Sequence, residues 1–235
     1  YDQIGGGFHR YSTDAEWLVP HFEKMLYDNA LLVKLYVHAY QVTRKPLYRR
    51  VVEQTLDYVL REMTAGQGGF YSAQDADSEG IEGKFFLWTM DEIDSLLEDE
   101  AQSFAQVFGV TRMGNFYDPH HPELTGRNVL SRRTALLPGA LGLAPDAVVE
   151  RIEEWRHRLF AVRSERIPPD TDRKVLTSWN GLALAAFAEA ARVLGDAHLR
   201  EIAERNAGFV RERMWLDGVL LHTYKDGVAR IEGML

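Results

Sequence analysis

Apolar residues recur at three- and four-residue spacing along most of this chain, and that rhythm commits it to packed helices. Phe22, Met25, Leu26, Asn29, Leu32, Val33 and Tyr36 fall on one stripe, which predicts an amphipathic helix over about 21–42, with Pro20 suited to its start. Val51, Val52, Leu56, Val59 and Leu60 predict a second over about 47–63, bracketed by Pro46 and Gly66. Shorter helices are expected at about 90–98 and 100–108. The first of these opens at Thr89 with Glu92 three residues on, a capping-box pattern. Three longer ones follow at about 145–162, 178–194 and 196–214, with Ser178 and Asp196 placed to cap the last two.

Between the helices lie turn-rich pieces with short β character. Gly7-Phe8 and Gly69-Phe70 match in kind and flank one helix pair, a weak repeat of helix–helix–turn units. The expected fold is therefore all-α, a stack of helical hairpins with short β-turn segments. Residues 1–235 read as a single fragment with an irregular insertion at about 109–140, because Tyr1 and the apolar end at Met234-Leu235 look like cuts through a longer chain. With 46% apolar and 26% charged residues, a chain of 235 can bury a real core without staples. No cysteine is present, which excludes a disulfide framework, a zinc ribbon and a thiol nucleophile. The charge of −8, from 27 basic and 35 acidic side chains, argues against nucleic acid as a partner. No apolar run approaches a membrane span and no signal-peptide pattern opens the chain, so a cytoplasmic, membrane-free protein is expected.

Four places could carry chemistry. On a helical period His21, Lys24 and Asp28 share a face, with Glu23 beside them. That set could orient a polar ligand or exchange protons, or be a solvated face with a Lys24–Asp28 pair. Asp75, Asp77, Glu79 and Glu82 crowd one Gly-broken loop. Calcium-loop spacing fails, since Phe86 stands where the last carboxylate belongs, but paired carboxylates are what glycoside chemistry needs. Trp179 and Asn180 at a helix start could stack on and hydrogen-bond a sugar, or could be core. His120-His121 lacks further ligands at metal spacing, and no phosphate loop or nucleophile elbow occurs, so no metal and no cofactor is expected.

The stretch Asp2-Gln3-Ile4-Gly5-Gly6-Gly7-Phe8-His9-Arg10-Tyr11-Ser12, followed by Pro20-His21-Phe22-Glu23-Lys24-Met25-Leu26-Tyr27-Asp28-Asn29-Ala30, resembles the thioredoxin-domain-containing, spermatogenesis-associated protein family and its bacterial relatives. Tyr71 to Gly80 and Leu176 to Leu182 are similar to two further blocks of that family. Departures are local. Asp172-Arg173-Lys174 replaces a pair of Asp before the Lys, and Phe85-Phe86 stands where Tyr is frequent. The resemblance implies an upstream thioredoxin-like domain as partner, and an (α/α) toroid of the six-hairpin glycosidase and sugar-epimerase type, here incomplete.

On that basis the expected function is a carbohydrate-active or carbohydrate-binding toroid domain. Asp75, Asp77, His21 and Asp28 are the candidate catalytic groups. Arg10, Glu23, Lys24, Tyr71, Glu82, Trp179 and Asn180 are the candidate substrate contacts. Hydrolysis would use two carboxylates, whereas epimerisation would favour His9, His21 or His222 as bases. The alternatives are a non-catalytic module presenting clients to the thioredoxin-like domain, and a remnant without a ligand.

Overall fold

A computed structural model describes residues 1–132, 142 and 144–232. Seven α-helices run through the described residues. They are α1 (Leu26–Thr43), α2 (Pro46–Glu62), α3 (Met90–Leu97), α4 (Ala101–Phe108), α5 (Pro145–Arg163), α6 (Thr177–Leu194) and α7 (Ala197–Phe209). The chain divides into two compact units. One comprises Tyr1–Gly5, Tyr11–Phe22 and Ala76–Pro169; the other comprises Gly6–Arg10, Glu23–Asp75 and Asp170–Leu235.

The second unit holds the two long hairpins, α1–α2 and α6–α7. Leu26, Val33 and Val37 of α1 bury against Ala183, Ala186 and Ala190 of α6. Val52, Leu56 and Val59 of α2 and Leu199 and Ile202 of α7 complete the core. The small alanine side chains let α1 lie close against α6, and Phe70 stacks on Phe187 at 5.1 Å to fill the remaining space. Helix ends follow their local chemistry. Gly195 takes the left-handed conformation after α6, and the Asp196 carboxylate accepts from His198 N and Leu199 N to cap α7. Helix α7 stops at Phe209 and passes into a π turn at Val210–Met214, so the expected 196–214 helix is regular only in its first part.

The Gly-Phe repeat has a physical basis. Asn29, in the first turn of α1, accepts from Phe8 N at 2.7 Å and donates to Phe8 O and Met25 O. Asn180, at the same position of α6, accepts from Phe70 N at 2.8 Å and donates to Phe70 O and Leu176 O. Each buried amide thus grips a Gly-Phe turn by both backbone groups. Gly7 has φ +80°, and a β-carbon there would stand 2.5 Å from the Tyr58 ring; one on Gly69 would stand 2.8 Å from Phe209.

Short strands decide where the helices begin. Lys24–Met25 (β3) pairs with Ala73–Gln74 (β4), which pairs in turn with Thr171–Asp172 (β9), all antiparallel, aligning Met25, Ala73 and Asp172. The expected helix over 21–42 therefore starts only at Leu26, and His21, Lys24 and Asp28 do not share a helical face. Backbone pairing of residues 24–25 wins over the apolar stripe that Phe22 and Met25 continue. Val175–Leu176 (β10) pairs with Val219–Lys225 (β12), which also pairs with Val228–Glu232 (β13) and Trp215–Leu216 (β11). Asp217-Gly218 and Asp226-Gly227 each supply two successive positive φ values, the geometry of tight antiparallel turns.

The first unit packs α3, α4 and α5 around Trp88, Ile93, Phe104, Phe108, Ile152, Trp155 and Leu159. The Thr89–Glu92 capping box at α3 is formed in both directions. Arg163 at the end of α5 is buried, donates to both carboxylate oxygens of Asp2 at 2.9 and 3.0 Å, and lies over the Phe85 and Phe86 rings. Within the expected insertion, Arg127–Asn128 (β8) pairs with Trp88–Thr89 (β7), and buried Asn128 bonds Thr111 and Trp88. Residues 133–141 and 143 lie outside the described residues.

Candidate functional site

The second unit contains a cavity of about 400 Å³. Its lining comes from three places. Glu23 and Met25 lie at the entry to α1, Ser72, Ala73 and Asp75 along and beside β4, and Asp172, Lys174, Leu176 and Trp179 between β9 and the first turn of α6. The β3–β4–β9 ladder aligns Met25, Ala73 and Asp172, and so fixes the spacing of three wall positions through backbone hydrogen bonds. Met25 and Leu176 are the residues that precede α1 and α6, so both helices begin at the cavity. This volume lies in the range of small-molecule sites, but the wall is more polar than is usual for them: Glu23, Ser72, Asp75, Asp172 and Lys174 are polar and Trp179 is the aromatic member.

Electrostatically the wall is acidic but structured. Arg10 Nη1 donates to Glu23 Oε2 at 2.9 Å, and Arg10 N donates to Glu23 O. Lys174 Nζ lies 3.0 Å from Asp172 Oδ2, and Lys174 N donates to Asp172 Oδ1. Burial pushes the Asp172 carboxyl up. The hydrogen bonds and charge of Lys174, with a contribution from Ser72, outweigh that and hold it below the ordinary carboxylate range. Asp75 is exposed on the wall, and its N–H donates to Asp170 O at 2.8 Å.

A second layer stands behind Glu23 and Trp179. The Tyr27 ring meets Trp179 edge-on at 4.8 Å, and Tyr27 is within hydrogen-bonding reach of both Arg10 and Asp28. Asp28 Oδ2 is buried without a hydrogen-bond partner. Burial raises its carboxyl above the ordinary range; the charge of Arg10 and a hydrogen bond from Tyr27 oppose the rise, and Glu23 adds to it. Asp28 does not line the cavity, so it acts on the wall only through Tyr27, Arg10 and Glu23.

Glu23, Asp75 and Trp179, singled out from sequence, share this wall, with Arg10 and Asp28 next to it. Lys24 and Asn180 sit elsewhere. Lys24 is buried, donates from Nζ to Gly6 O at 2.9 Å and covers the Tyr58 ring. Asn180 is fully buried with its amide engaged on Phe70, Leu176 and Asn206. Tyr71 is half-buried, packs against the helical core and donates its N–H to Met63 O. His21, Asp77 and Glu82 belong to the first unit. There His21 Nδ1 lies 2.7 Å from Glu82 Oε1, the His21 ring stacks on Tyr11, and Asp77 faces Glu82 across a two-strand hairpin. Ser72, Met25, Leu176, Asp172 and Lys174 were not singled out as site residues. The clue that could have found the last two is the Asp-x-Lys run just before α6. Among the described residues no three His, Cys, Asp or Glu side chains converge as a metal site, and no helix is long and apolar enough to cross a membrane.

No family model matches the chain. Its homologues include human spermatogenesis-associated protein 20, 37% identical over 248 residues, spanning 96% of this chain and 32% of that protein. An uncharacterized protein of Caenorhabditis elegans is 32% identical over 89% of this chain and 31% of its own length. Among solved structures, the unsaturated glucuronyl hydrolase of Bacillus sp. GL1 is similar with a TM-score of 0.44 and 17% identity, over 94% of this chain and 37% of that one. A score below 0.5 establishes neither a shared fold nor a shared activity. The chain is thus similar at the sequence level to spermatogenesis-associated protein 20, and it spans about a third of the length of the curated relatives it matches.

Proposed function

We propose that the second unit is a carbohydrate-binding module and that the cavity between the starts of α1 and α6 is its ligand site. The observation that carries the reading is Trp179 on one wall with Glu23, Asp75 and Asp172. An indole offers an apolar face to the C–H side of a sugar ring, and carboxylates accept the hydroxyl hydrogen bonds that fix its orientation. The edge-on Tyr27 ring holds the indole in place, and the Lys174–Asp172 and Arg10–Glu23 pairs hold two of the carboxylates. Carboxylates oriented in this way lose less side-chain entropy when a ligand is bound than unpaired ones would.

Saturation-transfer NMR with neutral disaccharides, in the chain and in Trp179→Leu, tests the proposal. The expected result is transfer to sugar ring protons that is lost in Trp179→Leu, with Asp75→Asn as a second, surface variant that weakens binding without touching the core. Transfer that persists unchanged in both variants, or no transfer with any sugar, would overturn it. The thioredoxin-like domain proposed as partner is tested separately, by whether such a domain supplied in trans binds the chain.

A further inference from the structure

We infer that the first unit carries a sugar contact of its own, an exposed platform formed by Trp17 that takes one ring of a β-linked glucan. It draws on none of the cavity's residues and can fail or stand without it. Tyr11–Ser12 pairs with Pro20–His21 and closes a small loop, in which Trp17 is 83% exposed with φ +58°. Bulky side chains rarely take that left-handed backbone, and glycine would hold it without the cost. An indole so exposed returns little of that cost through packing within the chain, so what it offers is its surface.

Hydrogen bonds hold the loop in one shape. Asp14 Oδ1 accepts from Leu18 N at 3.0 Å and Oδ2 accepts from Val19 N, while Thr13 donates from N and from Oγ1 to Val19 O at 2.9 and 2.8 Å. Leu18 and Val19, next in the chain after Trp17, pack against the cluster of Phe22, Phe86 and Leu124. The indole is thus presented on a fixed backbone, which spares a ligand the cost of ordering the loop.

The size of the contact decides among occupants. Between Ser12 and His21, Leu18, Val19 and Pro20 are half-buried, and Trp17 alone among the large apolar side chains is exposed. One indole buries about 150–250 Å², whereas a specific protein partner takes about 800 Å² from each side. A membrane would meet exposed Glu16 beside a single ring, and anionic headgroups repel that carboxylate. One pyranose ring matches the area. Gluco-configured, β-linked units fit it best, because their hydroxyls lie around the ring edge and leave C–H groups on its faces for the indole. Exposed Thr13 and Glu16 on the same loop offer oxygens to those hydroxyls.

A single-ring stack at an exposed site is weak, so the probe is a polymer that presents many equivalent rings. Native affinity electrophoresis in mixed-linkage β-glucan, with dextran as the α-linked comparison, is run on the chain, on Trp17→Gly and on Trp179→Leu. The expected result is retardation by β-glucan and not by dextran, kept in Trp179→Leu and weakened about tenfold in Trp17→Gly. Glycine suits the backbone at this position, so the Tm of Trp17→Gly should be unchanged or raised. Retardation lost in Trp179→Leu but kept in Trp17→Gly overturns the platform and leaves the cavity reading standing. Retardation lost in Trp17→Gly, with disaccharide transfer indifferent to Trp179→Leu and Asp75→Asn, overturns the cavity and leaves the platform. No retardation at all, or equal retardation by dextran, overturns the β-glucan assignment. A Tm lowered by Trp17→Gly, or a dimer in sedimentation that this variant dissolves, overturns it too, since the indole then packs within the chain or against a second copy.

Discussion

Replacing Asn180 with alanine should be among the most damaging single changes in the second unit. The side chain is fully buried and makes four hydrogen bonds: from Phe70 N at 2.8 Å and Asn206 Nδ2 at 2.9 Å to its oxygen, and from its nitrogen to Phe70 O and Leu176 O at 3.0 Å each. Alanine leaves both backbone groups of buried Phe70 without that partner. A buried polar group stranded in this way costs about 1–3 kcal/mol, so the pair gives a loss of roughly 3 kcal/mol. For a chain of this size that corresponds to a drop in Tm of about 6–12 °C. Asn180→Asp is the sharper probe. It keeps the acceptor for Phe70 N but points a second oxygen at the carbonyls of Phe70 and Leu176. It should therefore be worse than alanine at neutral pH, and recover in acid as a protonated carboxyl regains a donor. Differential scanning calorimetry of both variants across pH reads this directly. A shift below about 2 °C for alanine, or an aspartate variant whose deficit does not change with pH, would refute the clamp.

Gly7→Ala should cost more than about 2 kcal/mol, because φ is +80° and the new carbon would press on the Tyr58 ring; Gly66→Ala, with nothing within 4 Å, should be neutral or slightly stabilising in the same denaturation assay. Asp28 holds its proton more tightly folded than unfolded, so its contribution to stability falls as pH rises from below its unfolded pKa through the raised folded one. Wild type should therefore lose stability relative to Asp28→Asn over that rise, and a difference that is flat with pH would count against the burial of Oδ2. Asp172 behaves oppositely: its depressed carboxyl contributes stability above the unfolded pKa that is lost as pH falls through the folded one. Lys174→Met should remove up to about 0.5 kcal/mol at neutral pH, a small amount because the pair is half-exposed, and nothing in strong acid, as followed by urea titration.

The helices were legible because their signals are local. The Thr89–Glu92 box and the Asp196 cap act within one turn of chain. The start of α1 was not, because a two-residue strand has no periodicity to detect. Only its pairing with Ala73–Gln74 shows that Lys24–Met25 is extended, and that pairing removes His21 and Lys24 from the face expected for them. Glu23, Asp75 and Trp179 could be named as candidates from residue type and position. Their conjunction with Asp172 could not, since it depends on the register among residues 24–25, 73–74 and 171–172. Asn180 was ambiguous for the opposite reason. A polar residue at a helix start suits a ligand or a backbone clamp equally well, and its parallel with Asn29 becomes visible only when both amides are seen holding Gly-Phe turns.

The hydrogen bond from Asp75 N to Asp170 O has a consequence for length. The chain leaves the second unit after Asp75 and re-enters it at Asp170, so the two ends of the stretch 76–169 are neighbours. Closing a flexible loop costs an entropy that grows only logarithmically with its length, about 0.6 kcal/mol for each doubling. That law applies to the surface turns of the stretch and not to α3, α4 and α5, whose lengths are tied to the core they share. A residue added in such a turn costs β4 and β9 little, since their meeting depends on the two ends of the stretch and not on its contour length.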